Sequence, residues 1–254
     1  MMRRLEIIAV EGLGEIEPGD PLGRLVAEAC ARNGVELLAG DILVLAQKIV
    51  SKSEGRAVDL RRVTPSSEAL KLSGELDGKD PRLLELILRE SRRIVAKGRS
   101  TIVVETRHGF VCANAGIDLS NIGMERALLL PQDPDGSARR IREEIQRLTG
   151  TAVGIVITDT FGRPWRLGTT DVAIGVAGFG PLIDYRGGKD PYGYELKASV
   201  TAVADQIAGA AELVMGKTSL VPVVIVRGCE LPPQDGSARE LIRPAADDLF
   251  RGGR

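Results

Sequence analysis

The sequence predicts an α/β fold of mixed α+β character, and three observations carry that expectation. Short apolar runs of strand length alternate with segments whose apolar residues recur at helical spacing. Two further extended segments read as a β-hairpin. No strict βαβ alternation runs through the chain, which leaves the choice between α/β and α+β open.

Taken in order, Leu5–Val10 reads as a strand that ends in the turn-prone GLGEIEPGD. In Pro21–Arg32 the apolar residues Leu22, Leu25, Val26 and Ala29 share helical spacing, with Asp20 placed to cap the helix. Asp41–Ala46 is expected as a buried strand, and Gln47–Lys52 leaves it with two lysines. Pro81–Ser91 and Asp135–Thr149 are expected as helices, the second with Ala138, Ile141, Ile145 and Leu148 on one face. Thr101–Thr106 and Phe110–Ala113 form the hairpin around Arg107–Gly109. Val153–Thr158 is a short apolar strand, Ser199–Met215 an Ala-rich helix, and Val221–Val226 another buried strand. Asp135-Gly-Ser-Ala-Arg recurs at Asp235, and shared helix-start grammar explains the echo more simply than a duplicated domain.

Composition excludes several function classes. The 254 residues are 43% apolar, 27% charged and only 3% aromatic, so a globular core must come from aliphatic side chains. A net charge of −1 without a basic tail argues against nucleic acid as the main partner. The cysteines at 30, 112 and 229 lack C-x-x-C spacing and His108 is the only histidine, so neither a disulfide framework nor a Cys/His zinc site is expected. A reducing cytoplasm fits best. No run approaches the ~18 apolar residues of a membrane span.

The strongest local signal is Ile157-Thr-Asp-Thr-Phe-Gly-Arg163, an apolar strand running into Asp159, Thr160 and a glycine. Carboxylate and hydroxyl at a strand exit suit a hard divalent cation beside phosphate oxygens, although Asp159 could equally stabilise a turn. Asn114-Ala-Gly-Ile-Asp-Leu-Ser-Asn121 delivers Asp118 and Asn121 into a loop, where an Asx-turn is the plainer explanation. Gly216-Lys217-Thr218 imitates the end of a P-loop, but a helix precedes it and a strand follows, the reverse of the P-loop order. Gly216 then reads as a helix C-cap, with Lys217 facing the negative helix end. Gly175, Gly178 and Gly180 miss dinucleotide-site spacing. Arg163 and Arg166 could grip a polyanion or simply be solvated, Lys189–Tyr194 is a polar turn, and His108 is expected exposed and idle.

Together the motifs resemble the coenzyme F420-0:L-glutamate ligase family. The similar stretches are Val10–Leu13, Ser51–Gly55, Asn114–Asn121, Asp133–Ser137, Ile157–Arg166, Asp190–Gly193 and Val226–Gly228, in that order along nearly the whole chain. Phe161–Arg166 and Met215–Lys217 look closest to the ligase half of bifunctional actinobacterial members, and no nitroreductase-like domain is expected after it. The resemblance implies two interwoven α/β parts forming one ligase domain, and an intertwined homodimer. It implies GTP as co-substrate, with F420-0 and L-glutamate, Mg or Mn, and potassium as an activator. By motif position, Asp118 and Asp159 would bind one metal ion and Thr160 a second. Guanine nucleotide would contact Leu13, Gly14, Glu15 and Ile16, then Gln47, Lys48, Lys52 and Asn121. Its remaining contacts would be Met215, Gly216, Lys217, Thr218, Ser219, Leu220, Val221 and Pro222.

Two departures from archaeal relatives bear on this. Gln47 and Lys48 stand where those relatives have small hydroxyl residues, and Lys217 stands where they offer a carboxylate to the second ion. A protonated lysine cannot coordinate a cation, so Lys217 is expected to act catalytically as a phosphate-gripping charge. A metal-dependent nucleotide or phosphate-ester hydrolase and a non-catalytic nucleotide- or deazaflavin-binding relative are the competing expectations.

Overall fold

The computed structural model describes residues 4–248. The elements run β1 (Glu6–Val10), α1 (Leu22–Arg32), β2 (Ile42–Ala46), α2 (Gln47–Ser53), β3 (Ala57–Asp59), α3 (Ser67–Glu75), α4 (Pro81–Arg89) and β4 (Ser91–Lys97). They continue with β5 (Ile102–Thr106), β6 (Val111–Ala113), β7 (Arg126–Leu128), α5 (Pro134–Thr149), β8 (Gly154–Gly162) and β9 (Thr169–Ala177). The last are β10 (Ile183–Asp184), β11 (Val200–Thr201), α6 (Val203–Met215) and β12 (Val223–Arg227).

Five strands make the main sheet in the order β1-β12-β2-β8-β9, and only β2 and β8 are parallel. Period-two alternation assigns its faces. Leu43, Leu45, Ile155, Ile157, Val223 and Ile225 join one core with α1 and α5. Ile42, Val44, Val156, Val224 and Val226 join another with α6. The result is a mixed sheet between two helical layers, the α/β architecture with α+β character that the sequence predicts. Between α2 and α5 the chain builds a second part. There β3 pairs with β7, β4-β5-β6 form a small sheet, and α3 and α4 cover a separate core around Leu72, Leu84, Ile87, Ile102 and Val104.

Strand β9 lies at the sheet edge, where outward backbone N–H groups lack a partner strand. Carboxylates take that role. Asp171 N donates to Glu212, Ala173 N to Asp205, Val176 N to Asp135 and Gly178 N to Asp235. A bulge at Ile174 on β9 falls opposite the Ile157–Thr158 step of β8 and shifts the register by one residue. Gly175 is required beside it, because a Cβ there would lie 2.6 Å from the Pro134 carbonyl oxygen.

Several local expectations need correction. Asp20 does not cap α1; its carboxylate accepts from Glu17 N in the preceding turn, and Pro21 occupies the cap position. Leu148 is exposed rather than on the buried face of α5, because the helix outlasts the core there. The echoed Asp135 and Asp235 are not caps of their own helices. Asp135 accepts from Val176 N, Ala238 N and the Ser237 hydroxyl, so the two repeats meet in space and fasten β9 to the C-terminal segment. Strand β8 extends through Gly162, past the turn expected after Thr160.

Asp135→Ala would orphan two buried backbone donors, and a loss of about 2–4 kcal/mol is expected by urea denaturation. Asp235→Ala strands one exposed N–H and should lose less than about 1 kcal/mol. Equal losses from the two would show that Asp135 is not the fastening point.

Candidate active site

The β ladder lines up the ends of four strands. Val10 stands opposite Val223, Val223 opposite Leu45, and Leu45 opposite Ile157. Just beyond this row lie the loop after β1, the start of α2, the outer half of β8 and the segment entering β12. Ala46 N donates to Pro222 O at 2.9 Å and so ties two of them directly. Leu13–Ile16, Gln47–Lys52, Asp159–Thr160 and Met215–Pro222 therefore gather at one edge of the sheet.

The pleat of β8 divides this edge into two clusters. Asp159 stands opposite Val172, which packs on the α1/α5 core, whereas Thr158 stands opposite Ala173 on the α6 side. On the Asp159 side, Asp118 arrives from the second part, held by paired backbone bonds to Leu128. Lys48 lies 2.7 Å from Asp118 Oδ2 and donates to Ser120 Oγ, while Asp118 Oδ1 accepts from Ser120 N. The Asx-turn is thus present and leaves the other carboxylate oxygen facing Lys48. Burial pushes the Asp118 carboxyl up, but Lys48 and Ser120 prevail and hold it below its ordinary value. For Asp159 burial dominates. The Thr160 N–H and Lys48 oppose it only in part, the charges of Asp171 and Asp118 add to it, and the carboxyl is pushed up to about 7. Two residues along the same face, Phe161 lines a cavity of about 280 Å³ with Phe110, Val172 and Ile242.

On the α6 side, Thr160 Oγ1 donates to Asp171 Oδ1 at 2.6 Å. Lys217 Nζ lies 2.8 Å from Thr160 Oγ1, 3.2 Å from Asp171 Oδ1 and 2.6 Å from Glu212 Oε1. Lys217 therefore does not idle at a helix end. Gly216 does cap α6, with its N–H on Glu212 O, and the chain then turns Lys217 back toward β8. Burial works to lower the Lys217 pKa, but Glu212 and Asp171 together raise it. Asp171 and Glu212 escaped sequence reasoning, since only the cross-strand register places Asp171 opposite Thr160.

The other expected nucleotide residues divide by exposure. Ile16 and Met215 are core side chains, and Leu13 packs on the core, so Leu13 and Ile16 have only backbone to offer. Gly14 is exposed with φ +74, and Lys52 holds Glu15 at 2.5 Å. Gln47 is buried, accepts from Ser51 Oγ, and keeps an amide nitrogen without a partner among the described residues. Asn121 and Leu220 adopt positive φ in exposed turns, and Ser219 Oγ donates to Met215 O. Thr218 is exposed and Val221 half-buried. Arg163 closes the β8–β9 tip through Leu167 O. His108 is half-buried and stacked on Phe110 with its Nε2 beside the Pro131 and Gln132 carbonyls, which corrects the expectation of an exposed ring.

Fold and site together define an α/β protein with a crevice site where the carboxyl ends of β2 and β8 meet. A family profile described as F420-0:gamma-glutamyl ligase matches residues 12–228, and the chain belongs to that family. It is 47% identical to the coenzyme F420:L-glutamate ligase of Methanothermobacter thermautotrophicus over 98% of this chain and 99% of that one. The protein of the same name from Methanocaldococcus jannaschii is 44% identical, covering 98% of each chain. That from Methanopyrus kandleri is 46% identical over 98% of this chain and 97% of its own.

The raised pKa of Asp159 gives a signed pH dependence. Below about pH 4 the carboxyl is neutral folded or unfolded, and its full contribution is present. As pH rises through 7 the folded state must ionise a group that burial opposes, and that contribution is lost. The Tm of metal-free protein should fall between about pH 4 and 7, more steeply than that of Asp159→Asn, and the difference should level off above pH 7. Parallel curves would refute the raised pKa of Asp159.

Proposed function

We propose that this protein is a GTP-dependent ligase that joins L-glutamate through an amide bond to the side chain of coenzyme F420-0. Family membership and near full-length relatives of that name support the substrates. The observation that carries the chemistry is the gathering of Asp118, Asp159, Thr160, Lys48 and Lys217 at one sheet edge.

The acceptor's carboxylate oxygen attacks the γ-phosphorus of GTP, GDP leaves, and an acyl phosphate forms. The amine nitrogen of glutamate then attacks the acyl carbon, loses a proton to solvent, and expels inorganic phosphate. No enzyme nucleophile is required, so positioning and charge stabilisation are the protein's contribution. Lys217, steadied between Asp171 and Glu212, offers an ammonium to phosphate oxygens, and Lys48 offers another beside Asp118.

The donor set fits a hard cation. Four carboxylates, Asp118, Asp159, Asp171 and Glu212, face two ammonium groups, and burial opposes ionisation of Asp159 in the absence of a further positive charge. Asp118 and Asp159 would hold Mg2+ or Mn2+. Among the described residues no group of three His, Cys, Asp or Glu side chains is arranged for a metal, so water and phosphate oxygens would complete the shell, as Mg2+ prefers. Such an ion neutralises charge on the transferring phosphoryl group. Lys217 supplies part of the second ion's electrostatic role beside Thr160 and leaves that ion weakly bound or brought in with GTP. We also propose a homodimer; no helix among the described residues is long and apolar enough to cross a membrane.

Incubation with F420-0, GTP, Mn2+ and glutamate should raise the acceptor mass by one or more glutamyl residues, with GDP and phosphate released together. GTP hydrolysis independent of glutamate and without a mass change would point to a hydrolase instead. Asp118→Asn and Asp159→Asn should each lower kcat by about a hundredfold or more while remaining folded. Near-normal ligation by either variant would remove it from the metal assignment.

A further inference from the structure

The exposed ammonium of Lys217 is anchored by groups that belong to the fold. Its side chain is 56% exposed, whereas that of Asp171 is 7% exposed. Asp171 accepts from Thr158 Oγ1 at 3.3 Å, from Thr160 Oγ1 at 2.6 Å and from Lys217 at 3.2 Å. Glu212 spans two structures: Oε2 accepts the Asp171 backbone N–H at 3.1 Å, and Oε1 takes Lys217 at 2.6 Å. A lysine on four rotatable bonds normally samples many positions. Here two carboxylates, one buried in β9 and one on the last turns of α6, fix its charge beside the Thr160 hydroxyl.

We propose that Asp171, assisted by Glu212, is the positioning residue that holds the Lys217 ammonium for the phosphates of the nucleotide. The inference rests on the ligase reading above. Asp171 touches no substrate in this scheme. It acts through Lys217, and its contribution exists only while the ammonium is there. A purely structural Asp171, serving Thr158 and Thr160 as an acceptor, would matter equally with or without that lysine.

A double-mutant cycle separates the two. Asp171→Asn keeps the shape and one acceptor oxygen for Thr160 while removing the negative charge. In the full chain it should raise the KM for GTP about tenfold and leave the KM for glutamate unchanged. In the Lys217→Ala background the same substitution should move the GTP KM less than about twofold. Glu212→Gln should repeat the pattern more weakly, and it carries the cycle if Asp171→Asn fails to fold. An unchanged GTP KM in the single variants, or equal effects in both backgrounds, overturns the inference while ligation by the wild type stands. A wild-type protein that neither ligates nor turns over GTP removes the ligase reading, and this inference with it.

Discussion

Between Ile157 and Thr158 the ladder joining β8 to β9 slips by one residue, because Ile174 has no partner opposite it. A slip of one in a period-two structure exchanges the faces of everything beyond it. Val176 can therefore join the α6 core and Ala177 the α1/α5 core, while further out Val172 and Ala173 each reach the correct side. The same slip sets Asp171 across from Thr160 and Val172 across from Asp159. A regular ladder would put either the apolar half or the polar half of β9 on the wrong faces. The carboxylates along the outer edge then hold the bulged strand in place, since each accepts a backbone N–H that no neighbouring strand can take.

This arrangement concentrates negative charge where the fold gains little from it. Asp118, Asp171 and Glu212 each have a lysine beside them, while Asp159 is the carboxylate most opposed by burial and by its neighbours. Such local conflict is the pattern of a site selected for what it binds rather than for folding stability. Elsewhere buried charge is well matched: Asp41, nearly inaccessible, receives two bonds from Arg227 at 2.8 Å each.

What the sequence disclosed follows from what each element faces. Strand β2 and the start of β8 are buried on both faces and read as continuous apolar runs, and α1 and α5 carry clear helical stripes. Strand β4, SRRIVAK, shows two arginines to solvent and has no apolar period, so its sequence carries no strand signal. Strand β9 is obscured in the sequence because Asp171 and Gly175 interrupt its run. The site divides in the same way. Asp118, Asp159, Thr160 and Lys217 lie in recognisable motifs, but the company of Lys217 depends on a helix cap and a cross-strand register, neither of which spacing encodes.

Asp118 and Asp159 are held by different hydrophobic cores. Asp118 is bonded to Leu128, whose chain neighbours Ala127 and Leu129 lie in the small core of the second part, and Asp159 extends from a strand of the main sheet. Lys48, at the first turn of α2, reaches across to the smaller part. Proteins open locally in separate cooperative units whose opening free energies differ. A transient opening of the second part would carry Asp118 and Ser120 away while the five-stranded sheet, with Asp159, Thr160 and Lys217, stayed closed. Heat would then silence the enzyme before melting it, and ligands that bridge the two carboxylates would act as the clasp between the two parts.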